Sequence, residues 1–169
     1  MRIVKYFFII FIPALLFLGF DNKPVVNTRI INYGIYQSQM IEKIISEEMT
    51  SGGLGLREDV ELLKQTDRIP AEIGTRFGFK YIIEGENIPK EIKVTFVWNF
   101  PETGLKDPET NQLSKQDQVT AIVKTNKELY IDYGFDYEWE LVLGTWIFQI
   151  KEGDNVLATK TFEVYKPSA

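Results

Sequence analysis

The sequence contains no histidine and no cysteine among its 169 residues. These absences exclude Ser-His-Asp and Cys-His nucleophiles, zinc held by imidazole or thiolate, and disulfide bonds. Positive charge is also scarce: 19 Lys and Arg stand against 24 Asp and Glu, a net charge of −5, so no basic field attracts a nucleic-acid backbone. We therefore expect no nucleic-acid partner, no cofactor, no metal site and no catalytic residues of a familiar enzyme class.

What is present is an ordinary globular composition. The chain is 44% hydrophobic, 14% aromatic and 25% charged, which is too apolar for an intrinsically disordered protein. Its length corresponds to about one domain. We expect a single core that is stable without disulfide bonds.

An apolar run stands near the amino end. Residues 6–20 (YFFIIFIPALLFLGF) carry no charge, follow two basic residues and precede a polar stretch. A membrane-spanning helix needs about 20 apolar residues, and Pro13 interrupts this shorter run, so residues 1–20 are predicted to be a signal peptide. Cleavage after Gly19 would leave bulky Phe17 at the third-last position, so an uncleaved amino-terminal anchor is the alternative.

The leader predicts where the protein goes. We expect an exported protein, periplasmic or extracellular, which contacts a membrane only through residues 1–20 if that segment is uncleaved. Residues 21–28 are predicted to be a linker, and residues 29–166 the folded domain. Removing two basic leader residues leaves 17 basic against 24 acidic residues, a net charge of −7.

Alternation of period two dominates the rest of the chain. Phe77, Phe79, Tyr81 and Ile83 alternate with more polar neighbours, which is typical of a half-buried strand. The same pattern predicts further strands, centred near residues 33, 60, 95, 121, 131, 148 and 163. With turn formers between them and no βαβ alternation, these segments predict an all-β fold, an immunoglobulin-like antiparallel β-sandwich of about seven to eight strands.

One segment fits two structures. Met40, Ile41, Ile44 and Ile45 have helical spacing within Met40 to Glu48, but the same residues suit the second half of a bulged strand. The pattern favours the strand slightly and leaves the helix open.

A longer motif connects the chain to a known family. The stretch QTDRIPAEIGTRFGF (residues 65–79), with YGIY (33–36) before it and WELVLGTW (139–146) after it, resembles the bacterial family catalogued as domain of unknown function 3859. The resemblance spans about residues 29–165. It implies an immunoglobulin-like sandwich, and no activity, ligand or catalytic residue comes with it. Leu143 departs from the proline expected before Gly-Thr-Trp.

Asp67 and Arg68 lie in the most informative polar loop. They can present a charged recognition edge, since loops on a rigid scaffold commonly carry binding groups. The favoured interpretation is structural: the Asp67 carboxylate accepts backbone N–H groups in an Asx-type turn.

A second candidate surface is the acidic and aromatic run from Asp132 to Glu140. Its candidate binding residues are Tyr137, Glu138, Trp139 and Glu140. Carboxylates beside aromatic rings are the components of sugar binding and glycoside hydrolysis. Simple alternation favours an ordinary half-buried strand, with the rings on one face and the acids on the other. Exposed rings would instead favour a sugar or peptide platform.

These observations predict a non-enzymatic binding module of the cell envelope, whose partner is an unknown protein or envelope component. The alternative is a carbohydrate-binding module or a carboxylate-based glycan-active enzyme that uses the Asp132 to Glu140 region. A purely structural module of an envelope assembly is a third possibility that the sequence does not separate from the first.

Overall fold

The computed structural model describes residues 26–45 and 53–168, which form an all-β structure. Its strands, in chain order, are β1 (Asn27–Ile45), β2 (Gly53–Gln65), β3 (Arg68–Pro70), β4 (Arg76–Glu84), β5 (Glu91–Asn99), β6 (Leu105–Lys106), β7 (Leu113–Ser114), β8 (Gln116–Lys124), β9 (Glu128–Gly134), β10 (Gly144–Glu152) and β11 (Asn155–Tyr165). A 3₁₀ turn, Glu138–Glu140, follows β9. Eight of the strands have seven residues or more.

The long strands form two sheets around one core. The first sheet has the order β2-β1-β4-β9, and the second has the order β3-β11-β10-β5-β8. The long strands pair antiparallel, whereas the short β3, at the edge of the second sheet, pairs parallel with β11. Strands β6 and β7 form a separate small ladder. The predicted immunoglobulin-like sandwich is therefore confirmed.

The strand alternation is confirmed at the centre of the core. Phe77, Phe79, Tyr81 and Ile83 all point inward from β4 and are buried. Burying each side chain of this size stabilises the fold by about 1.5–3 kcal/mol. Trp98 from the second sheet donates its indole N–H to the backbone carbonyl of Asp132 in the first sheet, at 3.1 Å. This bond satisfies a buried donor and joins the two layers.

The predicted leader and linker fall largely outside this structure. Residues 1–20 lie outside the described residues, so the signal peptide stays a prediction. Of residues 21–28, the structure describes 26–28, and β1 begins at Asn27. The predicted domain start at residue 29 therefore lies two residues inside β1.

The segment that fitted either a helix or a strand is a strand as far as the structure describes it. Residues 40–45 belong to β1, and residues 46–48 lie outside the described residues. Here β1 pairs only with β2, and the ladder has three register shifts between Ile35 and Glu42. These irregularities explain the misleading spacing, because a bulge moves side chains out of strict alternation.

The far half of the β1–β2 hairpin folds across the outer face of the first sheet. Tyr36 from this hairpin contacts Tyr130 of β9, with ring centroids 4.7 Å apart, although β4 lies between β1 and β9. Gly34 of β1 is buried with φ +140°, and a Cβ there would collide with the backbone carbonyl of Lys64. Only glycine fits this backbone conformation and this close approach without strain.

A buried carboxylate holds the folded hairpin in place. Asp132 Oδ2 lies 3.1 Å from Arg57 Nε of β2 and 2.8 Å from Arg76 Nη1 of β4. The side chains of Arg57 and Asp132 are only 7% and 8% exposed. Burial raises the pKa of the Asp132 carboxyl, and the two arginines oppose that rise. Among the described residues, Arg57 therefore relies on Asp132 alone for an ion pair, whereas Arg76 also pairs with Asp136.

Replacing Asp132 by asparagine leaves the buried guanidinium group of Arg57 without a negative partner in the part of the chain that the structure describes, while Arg76 keeps its ion pair with Asp136. We expect Asp132→Asn to lower the free energy of unfolding by about 3–5 kcal/mol, measured by urea denaturation. The control is Asp136→Asn, since Asp136 is 58% exposed and pairs with Arg76 at 3.2 Å. That change should cost less than about 1 kcal/mol. Equal small losses in both variants would contradict the role of Asp132 in holding the folded hairpin.

Candidate functional site

The segment from Phe135 to Leu143 carries the chain from β9 in the first sheet to β10 in the second. Phe135 is buried in the core, but after it the chain leaves strand geometry and forms the 3₁₀ turn. The interpretation of residues 135–140 as a half-buried strand is therefore wrong. We call this segment the crossover.

The carboxylate of Glu140 is the cause of the turn. Its Oε2 accepts the backbone N–H groups of Asp136 at 2.6 Å and Tyr137 at 2.8 Å, and its Oε1 accepts the hydroxyl of Tyr133 at 2.9 Å. Burial raises the pKa of the Glu140 carboxyl, and these three bonds oppose the rise. Because one buried carboxylate accepts two successive backbone N–H groups, the chain bends around it.

The bend directs two aromatic rings away from the strand pattern. Tyr137 is 62% exposed, and its ring lies parallel to that of Trp139, with an interplanar angle of 10° and centroids 6.0 Å apart. Trp139 is half-buried and packs against the core. The supported indole and the exposed phenol form a stacked pair that we call the aromatic shelf.

Acidic and apolar groups surround the shelf. Asp136 and Glu138 are exposed on either side of Tyr137, and Leu143 is exposed at the end of the crossover. The loop that precedes β4 is fixed beside them, because Gly74 N–H donates to the Phe135 carbonyl at 2.8 Å. That loop exposes Ile73. Exposed apolar side chains and exposed carboxylates therefore lie on the crossover and on the loop that is hydrogen-bonded to it.

The two remaining acids of the predicted run are not part of this surface. Glu140 is 3% exposed, and its oxygens already accept three hydrogen bonds. Asp132 is buried between two arginines on β9. Among the predicted binding residues of this run, Tyr137, Glu138 and Trp139 thus share the shelf, while Glu140 lies beneath it and shapes it.

Asp67 and Arg68 lie elsewhere, at the edge strand of the second sheet. The predicted Asx turn is wrong in its acceptor, because Thr66 Oγ1, and not the Asp67 carboxylate, accepts the Arg68 N–H at 3.0 Å. The Arg68 guanidinium lies over the ring of Tyr165, 4.7 Å from its centroid. In the described part of the chain, no hydrogen bond, ion pair or ring contact joins these two residues to the shelf.

Two arginines near the site were not predicted. Arg76 links the crossover to β4 through Asp136, and Arg57 reaches Asp132 from the folded hairpin. Arg76 lies within the family motif, so the motif could have drawn attention to it. Nothing in the local sequence around Arg57 predicts that it pairs with Asp132.

Two further observations concern the described residues only. No group of three or more Asp or Glu side chains among them is arranged to hold a metal ion. No helix in residues 26–45 and 53–168 has the length and apolar character to cross a membrane.

The two sheets and their core define the class of protein as an immunoglobulin-like sandwich domain. The chain belongs to the family described as domain of unknown function 3859, whose model matches residues 24–164, as its central motif indicated. It is similar to the solved structure of an immunoglobulin-like protein from Pseudomonas aeruginosa, with 24% sequence identity and a TM-score of 0.60. That similarity covers 83% of this chain and 97% of the other, and it shows the fold. No curated protein matches the chain.

Proposed function

We propose that this protein is an exported, non-enzymatic recognition module of the bacterial cell envelope, and that it binds an envelope component through the aromatic shelf. The observation that carries the proposal is the exposure of Tyr137, whose ring is held parallel to Trp139.

The shelf has the physical properties of a binding surface. A rigid aromatic ring offers a large contact area at low cost in conformational entropy, and Tyr and Trp are enriched among the residues that dominate binding energy. Support from Trp139 beneath and from the Glu140 turn fixes the ring before any partner arrives. Preorganisation of this kind reduces the entropy lost on binding.

The roles of the carboxylates support recognition over catalysis. Glycoside hydrolysis needs two carboxyl groups that flank the substrate, one of them able to deliver a proton. Glu140 and Asp132 are instead buried and engaged by hydrogen bonds and arginines. The exposed acids, Asp136 and Glu138, are suited to accept hydrogen bonds from a partner.

A specific observation favours a glycan as the envelope component. An aromatic face beside carboxylates matches a sugar ring, which presents apolar C–H groups on one face and hydroxyl groups around its edge. Tyr137 supplies the face, and Asp136 and Glu138 supply the acceptors. A carbohydrate-binding module is therefore our second, narrower candidate, and a protein ligand is its competitor.

Export is testable without knowledge of the ligand. We expect a fusion of the full chain to alkaline phosphatase to be active, since that enzyme requires the oxidising compartment outside the cytoplasm to form its disulfides. Deleting residues 2–20 should abolish the activity, and replacing Asp21 by alanine should not. Equal activity with and without residues 2–20 would contradict the signal interpretation.

Binding is tested by co-sedimentation of the purified protein with isolated envelope. We expect saturable binding that Tyr137→Ala weakens about tenfold or more, as for a central aromatic contact. The matched control is Val156→Ala, because Val156 is also an exposed apolar residue but follows the β10–β11 turn, at the opposite end of β10 from the crossover.

The same assay separates the two candidates. Soluble glycan fragments released from sacculi should compete with the envelope if the partner is a glycan, and they should have no effect if it is a protein. Equal loss in Tyr137→Ala and Val156→Ala, or no loss in either, would contradict the role of the shelf. Saturable glycan hydrolysis that disappears in Glu138→Gln would contradict the non-enzymatic proposal.

A further inference from the structure

A second concave surface lies on the side of the sandwich where the edge strands of both sheets face each other. β8 is the edge of the second sheet and β9 the edge of the first, and the folded β1–β2 hairpin overhangs the opening between them. The resulting cleft has a volume of about 600 Å³. Residues that line it include Arg57, Lys80, Ala121, Lys124, Leu129 and Tyr130. We call it the lateral cleft, and it shares no residue with the aromatic shelf.

The size and lining of the lateral cleft suit a small molecule. Small-molecule sites in proteins are clefts of about 300–1,000 Å³ with mostly apolar walls and a few polar groups. Here side chains of β8 and β9, among them Ala121, Val123 and Leu129, supply the apolar wall. The floor reaches the core at Phe96 and Tyr81.

The charged groups of the cleft are predominantly positive, although the chain as a whole is acidic. Arg57, Lys80 and Lys124 line the cleft against a single acid, Glu128, which pairs with Lys80 at 2.9 Å. Asp132 compensates Arg57 from behind. Lys124 takes part in none of the ion pairs found among the described residues. One positive charge is therefore left for a ligand.

Two buried donors at the cleft also lack acceptors. The hydroxyl of Tyr130 is buried and makes no hydrogen bond within the described protein. Arg57 Nε lies 3.1 Å from Asp132 Oδ2 but not in hydrogen-bond geometry, and the Arg57 side chain is only 7% exposed. A buried donor without an acceptor costs about 1–3 kcal/mol, a cost that a bound acceptor removes.

From these three observations we infer that the lateral cleft binds a small amphipathic acid, whose carboxylate faces Tyr130, Arg57 and Lys124 and whose apolar chain lies along β8 and β9. The excess positive charge selects an anionic head. The unpartnered donors select a hydrogen-bond acceptor, and the apolar wall selects an alkyl chain over a second polar group. This inference does not depend on the proposed function of the shelf.

The test is calorimetric titration of the protein with sodium decanoate. The protein is purified after expression of the full chain, with whatever amino terminus that expression yields. Decan-1-ol and decyltrimethylammonium, which keep the chain and change the head, are the comparison ligands. We expect one molecule of decanoate to bind per protein, at least about tenfold more tightly than either comparison ligand, in keeping with a charge-assisted hydrogen bond.

Three variants place the ligand in the lateral cleft. Tyr130→Phe removes a hydroxyl that has no partner, so the fold should be unaffected while decanoate binding weakens about fivefold. Lys124→Glu should weaken it at least as much, and Ala121→Trp should abolish it by filling the cleft. The matched control, Tyr137→Phe, removes a tyrosine hydroxyl on the shelf and should leave decanoate binding unchanged.

The inference is overturned by absence of decanoate binding, by equal binding of decanoate and either comparison ligand, or by decanoate binding that survives Ala121→Trp. Thermal unfolding of each variant is measured without ligand. If Ala121→Trp is unfolded at the assay temperature, Val123→Trp replaces it, since Val123 lines the same cleft from the same strand. Because envelope binding is scored by Tyr137→Ala, failure of this inference and failure of the shelf proposal give different results.

Discussion

The hydrogen bonds of one buried carboxylate determine how this sandwich presents its candidate surface. Glu140 cannot remain ionised inside the protein without donors, and it finds them in two backbone N–H groups of its own segment and in the hydroxyl of Tyr133. Satisfying this group forces the crossover into a tight turn. This 3₁₀ turn exposes Tyr137 and places its ring parallel to that of Trp139. The exposure of the shelf is thus a consequence of the hydrogen bonds that the buried Glu140 carboxylate requires.

A second carboxylate on the same stretch of chain organises the other side of the first sheet. Asp132 compensates Arg57 and Arg76, and in doing so it holds the β1–β2 hairpin across the outer face. The folded hairpin then forms one wall of the lateral cleft. Both acids therefore shape surfaces without lying on them. Two of the four acids in the run from Asp132 to Glu140 thus have an architectural role in the folded protein.

Local patterns predicted the parts of the fold that depend on local side-chain direction. Alternation around Phe79 identified the central strand, and the family motif identified the fold, because both are encoded in adjacent residues. The crossover was misread because its alternation continues unbroken in the sequence, while the contact that breaks the strand, from Tyr133 to Glu140, requires the folded chain. The position of the folded hairpin was equally unpredictable, since Arg57 and its carboxylate partner are 75 residues apart in sequence (132 − 57 = 75). The sequence singled out Tyr137, Glu138 and Trp139 as candidates for the chemistry of carboxylates beside aromatic rings, but the exposure of Tyr137 is visible only in the folded chain.

Amide hydrogen exchange at Asp136 and Tyr137 tests the central claim most directly. Both side chains are exposed, so a simple surface loop would exchange these amides at the rate of an unstructured peptide. If Glu140 binds both N–H groups beneath the shelf, the two amides should be protected, and Glu140→Ala should remove that protection while the amides of β4 stay protected. Rapid exchange at Asp136 and Tyr137 in the unmodified protein would contradict the account.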